Sequence, residues 1–446
     1  MNFSDLKKRV IDPGLCTHCG TCAALCKSIE MQETRRGPLP ICDDPSTPLE
    51  DSVWQACPGR GIPYATLNQE TFGKLPEQWL IGNVEKTFVG YSANEDVRRI
   101  GASGGVITQV LLYLLEKGMI QGAITLKHGT PEPWLARPVI ATSAQEILAG
   151  AQSVYAPIPV NAILSEIETF DGEVALVGLP DQIASIRKLQ ALGHPSVEKI
   201  KYLLGPYVGI NMYSGAVMRF ARSNGIKTKE EIAEVRYRDG EWPGYLRITS
   251  KSGKTVKAEK FYYNYLLPFY ITRSTLYSID FANDFTDISV GDAWNPTYEK
   301  VGKGFAVIAA RNQKALDILL AMQKEGYLDL EEKPVAEAMN MHGHMFDFKK
   351  RGAFIRMGFR RMLGRKVPDY EIKPRNLGPS RYLVEFVISG VILVCSNRLA
   401  QSVLGLIPIG PMGKFFNISR KTWKNLSKPT KRKGLLNQDY TVLSSK

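Results

Sequence analysis

The stretch GEVALVGLPDQIASIRKL (Gly172–Leu189) carries the fold in miniature. Four consecutive apolar residues, Val174 to Val177, read as a strand. Gly-Leu-Pro then breaks the strand, and apolar residues at helical spacing resume near Asp181. The same logic appears upstream. GASGG (101–105) opens a helical run, VITQVLLYLLEKG (106–118), which Gly118 closes, and MIQGAITL (119–126) reads as the next strand. Alternating strand and helix signals predict an α/β class, mixed α+β in detail. AEVRYRDGEWPGYLRITSKSGKTVKAEKF (233–261) predicts antiparallel strands with Asp-Gly and Ser-Gly turns. DISVGDAWNP (287–296) predicts a strand running into a loop.

Around this middle lie two different ends. Residues 1–66 are rich in Cys and Pro with weak periodicity, and a polar stretch near 68–85 leads into the body. From residue 349 onward 21 Lys and Arg face 4 Asp and Glu, so this region carries +17 of a chain whose net charge is +13. The division predicted is 1–66 as an N-terminal ferredoxin-like iron–sulfur segment, 85–345 as a central α/β domain, and 346–446 as a basic, helical C-terminal extension. The apolar run YLVEFVISGVILVC (382–395) contains Glu385 and is too short to span a bilayer, which predicts a buried or interfacial helix. The opening MNFSDLKKRV has charge but no apolar core, so the expected location is cytoplasmic, with the basic tail allowing peripheral membrane contact.

Four of the seven cysteines fall at Cys16, Cys19, Cys22 and Cys26, spaced C-x2-C-x2-C-x3-C. Three thiolates at this spacing wrap a short loop around one inorganic cluster, the ferredoxin pattern for [4Fe–4S]. Zinc is the rival, but zinc sites usually pair two separate elements. For the fourth thiolate there are two candidates, Cys26 in the run itself and the remote Cys57, which is followed by Pro58. The Cys-Pro pair favours Cys57. His18 is expected as a solvated loop residue, not a ligand.

In RRIGASGGVIT (98–108) small residues would let backbone N–H groups approach an anion at a helix N-terminus, with Ser103 able to donate to a phosphate oxygen. A tight strand–helix turn would read the same way. The G-x-G-x-x-G dinucleotide pattern is absent.

GLCTHCGTCAALC, ACPGRG, ASGGVITQVLLYLLEKGMIQGAI, YAPIPV, VALVGLPDQIASIRKL, EVRYRDGEWPG and DISVGDAW, in this order over roughly residues 10–310, together resemble the coenzyme F420 hydrogenase/dehydrogenase beta-subunit family. The resemblance implies a flavoprotein carrying FAD and at least one [4Fe–4S] cluster. It would pass electrons between iron–sulfur centres and a two-electron substrate, coenzyme F420 in the archaeal relatives. It implies that Ser103, Gly104 and Gly105 contact the FAD phosphates and that Tyr155, Asn211, Trp242 and Asp292 line the flavin pocket. It assigns no catalytic residue. It also implies a redox partner, a hydrogenase- or dehydrogenase-like subunit or a ferredoxin.

The chain departs from that pattern where many relatives carry the thiols of a second cluster. Asp181, Val208, Thr275 and Ser278 stand at those positions. This implies one cluster kept and one lost. The alternative reading is a non-catalytic electron-transfer or scaffold subunit, docked to a membrane assembly by the basic tail. That tail reads plainly as a solvated charged face, or more sharply as a contact for anionic lipid or an acidic subunit. Nucleic acid is not expected, since no binding module accompanies the charge.

Overall fold

The structure is a computed structural model, and it describes residues 1–258, 265–407 and 409–443. Its centre is an eight-stranded mixed sheet. In chain order the strands are β1 (Lys86–Ser92), β2 (Gly122–His128), β3 (Ala136–Ala141), β4 (Val174–Val177), β5 (Ile200–Pro206), β6 (Ile288–Asp292), β7 (Ala306–Ala310) and β8 (Leu328–Lys333). In space they run β8-β1-β7-β6-β5-β4-β2-β3. The inner four, β6-β5-β4-β2, are parallel, and every other pairing is antiparallel. Parallel strands need cover on both faces. Val174, Ala175 and Leu176 are accordingly fully buried, with helix α1 (Val106–Glu116) on one side and α2 (Pro180–Ala191) on the other.

The strand and helix positions read from 101–126 and 172–189 hold. The antiparallel strands read in 233–261 form a separate three-stranded sheet, Ile232–Asp239, Tyr245–Ser250 and Thr255–Ala258. Residues 259–261 of that stretch lie outside the described residues. The polar stretch at 68–85 behaves differently from its reading. Trp79, Leu80 and Ile81 are among the most buried side chains of the chain, in the same core as Tyr64, Phe285 and Phe346.

The N-terminal segment folds around a small core of Phe3, Leu6, Val10, Leu15, Ile29, Leu49 and Val53. Gly61 ties it to the C-terminal region. Its φ is +126°, and a Cβ there would lie 1.6 Å from the Asp369 carbonyl oxygen, so only glycine fits.

The region after 346 keeps a solvated basic face, with Lys414, Lys421, Lys424 and Lys428 exposed, but part of its charge lies inside. Helical residues Asp347–Gly352, wound with a π-bulge, bury Asp347, Lys349, Lys350 and Arg351. Bulges of this type recur where function re-aims side chains. Beyond it lie α3 (Pro379–Cys395), α4 (Arg398–Leu406) and α5 (Ile409–Arg432). Helix α3 turns its charges inward. Arg356 donates to Glu385 Oε1 at 2.6 Å, while Arg381 donates to Glu385 Oε2 at 2.7 Å and to Asp347 Oδ1 at 2.9 Å. Ion pairs this deep are mutually dependent, since removing one partner strands the others without water.

Candidate functional site

Three neighbouring features occupy the sheet's working end: a thiol lobe, an apolar cavity and a basic cleft.

The thiol lobe brings Cys16, Cys19, Cys22 and Cys57 together. Burial pushes the Cys16, Cys22 and Cys57 thiols up, and the nearby Cys19 adds to it for all three; Cys57 also acts on Cys16 and Cys22. Cys26 is not among the groups that shift them. It closes the helix Thr21–Leu25 and packs on the lobe's small core. Cys42 lies on the same core, with Asp44 and Thr47 as its polar neighbours. His18 is buried, contrary to its reading as a solvated residue. Its Nδ1–H donates to the Pro38 carbonyl at 2.8 Å, and burial lowers its pKa to about 4. Among the described residues no group of three or more His, Cys, Asp or Glu side chains closes around a single ion. The Lys188 ammonium, itself lowered to about 8 by burial, donates to the carbonyls of Cys57 at 3.2 Å and Gly61 at 3.0 Å.

Hydrogen bonds join this lobe to the cavity wall. The Asn161 N–H donates to the Cys19 carbonyl at 2.9 Å, and its side chain donates to Thr21 Oγ1 and to the Gln182 carbonyl, both at 3.0 Å. Gln182 in turn donates to the Ile158 carbonyl at 2.8 Å. Gln182 and Ile158 line an apolar cavity of about 170 Å³. Its other walls include Val177 and Leu179 after β4, Pro206 ending β5, Val290 of β6, and Ser103. Crevices at the carboxyl ends of parallel strands are the usual ligand sites of such sheets.

Asp292 is the hub on the far side. It accepts from Ser103 Oγ at 2.9 Å, from Trp242 Nε1 at 2.6 Å, and from Arg238 through two N–H groups at 2.9 and 3.2 Å. Burial works to raise its carboxyl, but the Arg238 charge and these three donors outweigh it and hold Asp292 below the usual carboxylate range. The Tyr155 hydroxyl neighbours Arg238, and its ring meets Tyr237 edge-on at 5.9 Å. Ser103, Gly104, Gly105, Tyr155, Trp242 and Asp292 therefore converge. Gly105, at φ +74°, is needed by the loop itself, because a Cβ there would meet the Val97 carbonyl oxygen at 2.4 Å. Asn211 lies elsewhere, its backbone N–H donating to Thr275 Oγ1 at 3.2 Å.

The basic cleft, about 60 Å³, lies across the Asp292 hub and is lined by Arg98, Arg99, Arg238, Lys303, Trp242 and Gly304 among others. Arg98 is buried, donates from Nε to the Gly304 carbonyl at 3.1 Å, and leaves Nη2 buried without a hydrogen-bond partner. The guanidinium lies over the Tyr91 ring, 3.4 Å from its centroid, with the Glu95 carboxylate 3.8 Å from Nη1. Sequence reading misses Arg98 and Arg238, although both sit inside quoted motifs. Neither carries a role in the sequence reading, and only the fold buries them.

Asp181, Val208, Thr275 and Ser278 share one further cavity, of about 40 Å³, bordered by Thr17 and His18 of the thiol lobe. Ser278 Oγ donates to Asp181 Oδ1 at 3.1 Å, and Lys349 donates to the Thr275 carbonyl at 3.1 Å. Burial raises the Asp181 carboxyl, with Lys349 and Ser278 opposing it; burial lowers Lys349 to about 8.

Residues 87–165 match the model of the coenzyme F420 hydrogenase/dehydrogenase beta subunit N-terminal region, and 171–335 match that of its C-terminal region. The chain belongs to this family. Within the family, a coenzyme F420-dependent sulfite reductase of Methanocaldococcus jannaschii is 27% identical over 72% of this chain and 48% of its own length. The coenzyme F420 hydrogenase beta subunit of Methanosarcina barkeri is 22% identical over 55% of this chain and 80% of its own. The chain spans about half the length of the first curated relatives it matches. A chain of the F420-reducing [NiFe] hydrogenase complex from Methanosarcina barkeri shares the fold, at TM-score 0.51 and 18% identity over 65% of this chain and 97% of that one. The family's mixed α/β architecture is thus present, and the beta-subunit match ends just before the buried charged helix that begins near Gly343.

Proposed function

We propose that this protein is a flavin- and iron–sulfur-dependent oxidoreductase subunit that passes electrons between a [4Fe–4S] cluster and a two-electron substrate through FAD. The observation that carries the reading is the hydrogen-bonded path from Cys19 through Asn161 and Gln182 to the apolar cavity, which joins a four-thiol lobe to a ring-sized apolar slot. Cys16, Cys19, Cys22 and Cys57 would hold the cluster, with Cys26 outside it. The apolar cavity would take the flavin ring, and the cleft of Arg98, Arg99 and Lys303 its diphosphate. Bound there, the flavin supplies the exchange between electron pairs and single electrons. The protein's own part is positional. Asp292 orients Arg238, Trp242 and Ser103, while Lys188 sets a positive charge beside the cluster lobe.

The division of labour we propose follows the chain: 1–66 for the cluster, 85–345 for the flavin, 346–446 for docking. Coenzyme F420 is the substrate suggested by the names of relatives, and a hydrogenase- or dehydrogenase-like subunit the partner. The second reading, a non-catalytic electron-transfer subunit, is favoured by the polar filling of the Asp181 cavity, which shortens any cluster chain.

Anaerobic purification with iron, sulfide and flavin measured on one sample tests the reading. Near-equimolar flavin with four irons per chain supports it. Loss of iron in Cys57→Ser but not in Cys26→Ser supports the ligand choice, and the reverse overturns it. Arg98→Ala should lower flavin retention at least tenfold while leaving iron unchanged. A colourless protein after reconstitution ends the proposal.

A further inference from the structure

Helix α3 is built inside out. Its sequence, PSRYLVEFVISGVILVC, has only two charged residues, Arg381 and Glu385, and both are buried. Its apolar side chains face outward instead: Leu383 is 66% exposed, Phe386 66%, Leu393 71% and Val394 63%. Steps of three, seven and eleven residues put these on one stripe. Helix α4 likewise exposes Leu399, at 77%, and Val403. A large exposed apolar patch of this kind marks a contact site. Nor is the orientation accidental. The inward carboxylate and guanidinium are locked by Arg356 and Asp347, so rotating the helix to hide the stripe would strand the buried Arg356 and leave Asp347 with Arg351 alone.

What covers the stripe is indicated by the helices beside it. Among the described residues no single helix is long and apolar enough to cross a membrane; α3 and α4 together reach that length and apolarity, but they meet at a bend of 75°. Helix α5 packs against α3, has no acidic residue, and exposes Lys414, Lys421, Lys424 and Lys428. It also exposes Phe415 and Ile418. An apolar ridge flanked by positive charge complements an anionic lipid surface: the side chains enter the acyl boundary while the ammonium groups meet head-group phosphates. A second copy of this chain would bring like charges together over the same ridge.

We infer that α3, α4 and α5 form a monotopic docking surface for anionic membranes, which lies in the interface and does not span it. This goes beyond the redox reading and does not depend on it.

Co-sedimentation of the full chain with vesicles tests it, using phosphatidylcholine alone and phosphatidylcholine mixed with phosphatidylglycerol. The protein should pellet with the anionic vesicles, at least tenfold more tightly than with the neutral ones, and weaken as salt rises. Leu383→Ser combined with Phe386→Ser and Leu393→Ser should abolish binding to both. Lys421→Glu with Lys424→Glu and Lys428→Glu should remove the preference for anionic lipid. All six side chains are exposed, so unchanged thermal unfolding is the control for folding. Quenching of tryptophan emission by brominated lipid provides a readout on the unaltered protein. Failure to bind either vesicle overturns the inference, as does binding that the serine variant leaves intact. Concentration-dependent dimers without vesicle binding would overturn it in favour of a second copy.

Discussion

Helices α1 and α3 are both mainly apolar, yet they are placed in opposite senses. Helix α1 buries Val106, Val110, Leu111 and Leu114 against the sheet and leaves its polar end outside. Helix α3 buries Arg381 and Glu385 and leaves Leu383, Phe386 and Leu393 outside. Mean apolarity therefore does not decide which face of a helix goes inward. In α1 the partner is a sheet with apolar faces, so burial of hydrocarbon dominates, at about 25 cal/mol per Å². In α3 the partner is Asp347 and Arg356, already buried, and Arg356 would lose its carboxylate if the helix turned its hydrocarbon inward.

The contrast is sharpest at Glu385. Glu385→Ala should cost about 3–5 kcal/mol, because Arg356 and Arg381 lose their carboxylate in a dry site; the urea midpoint measures it. On the α1 side, Leu114→Ala should cost about 2–5 kcal/mol from lost burial and the cavity left behind. Equality of the two would show that charges hold the C-terminal layer as firmly as hydrocarbon holds the sheet.

A pH titration probes the junction between these regions. Burial holds His342 neutral and lowers its pKa to about 4, with Asp292 opposing, and its ring lies 5.4 Å from Tyr207 and 5.2 Å from Phe281. The unfolded chain takes up this proton near 6.5, the folded one near 4. Stability from this group is therefore full above about 6.5 and falls as the pH drops toward 4, by up to about 3 kcal/mol. His342→Phe should flatten that part of the stability–pH curve.

Smaller effects separate tuning from support. Lys188→Met removes a cation beside Cys57 and Cys19, so the midpoint potential of a bound cluster should fall, by about 59 mV for each 1.4 kcal/mol of lost interaction. Electron paramagnetic resonance titration reads it. At the bottom of the scale, Leu383→Ser should change stability by less than about 0.5 kcal/mol, as for other exposed positions. A larger loss would mean that the outward stripe is packed in the free protein, and the inside-out description of α3 would be wrong.

Much of the fold is legible in chain order alone. Local patterns name the elements: four apolar residues at 174–177 read as a short strand, and the cysteine spacing sets three thiols on one loop. The Gly-Leu-Pro turn places α2, because proline cannot continue a strand and suits a first helical turn. These readings rest on interactions within a few residues, which chain order specifies directly.

Other features depend on residues far apart in the chain. Cys57 comes close enough to Cys16, Cys19 and Cys22 to interact with them through charge, with Lys188 and the glycine-only approach at Asp369 holding the loop that carries it. Arg98 and Arg238 carry no reading of their own in the sequence, and Lys349 reads as part of a solvated basic stretch, until the sheet, the hub carboxylate and the Asp181 cavity close over them. Whether a charge is solvated or buried depends on which distant partner reaches it first. Spacing along a chain does not carry that information; packing in three dimensions does.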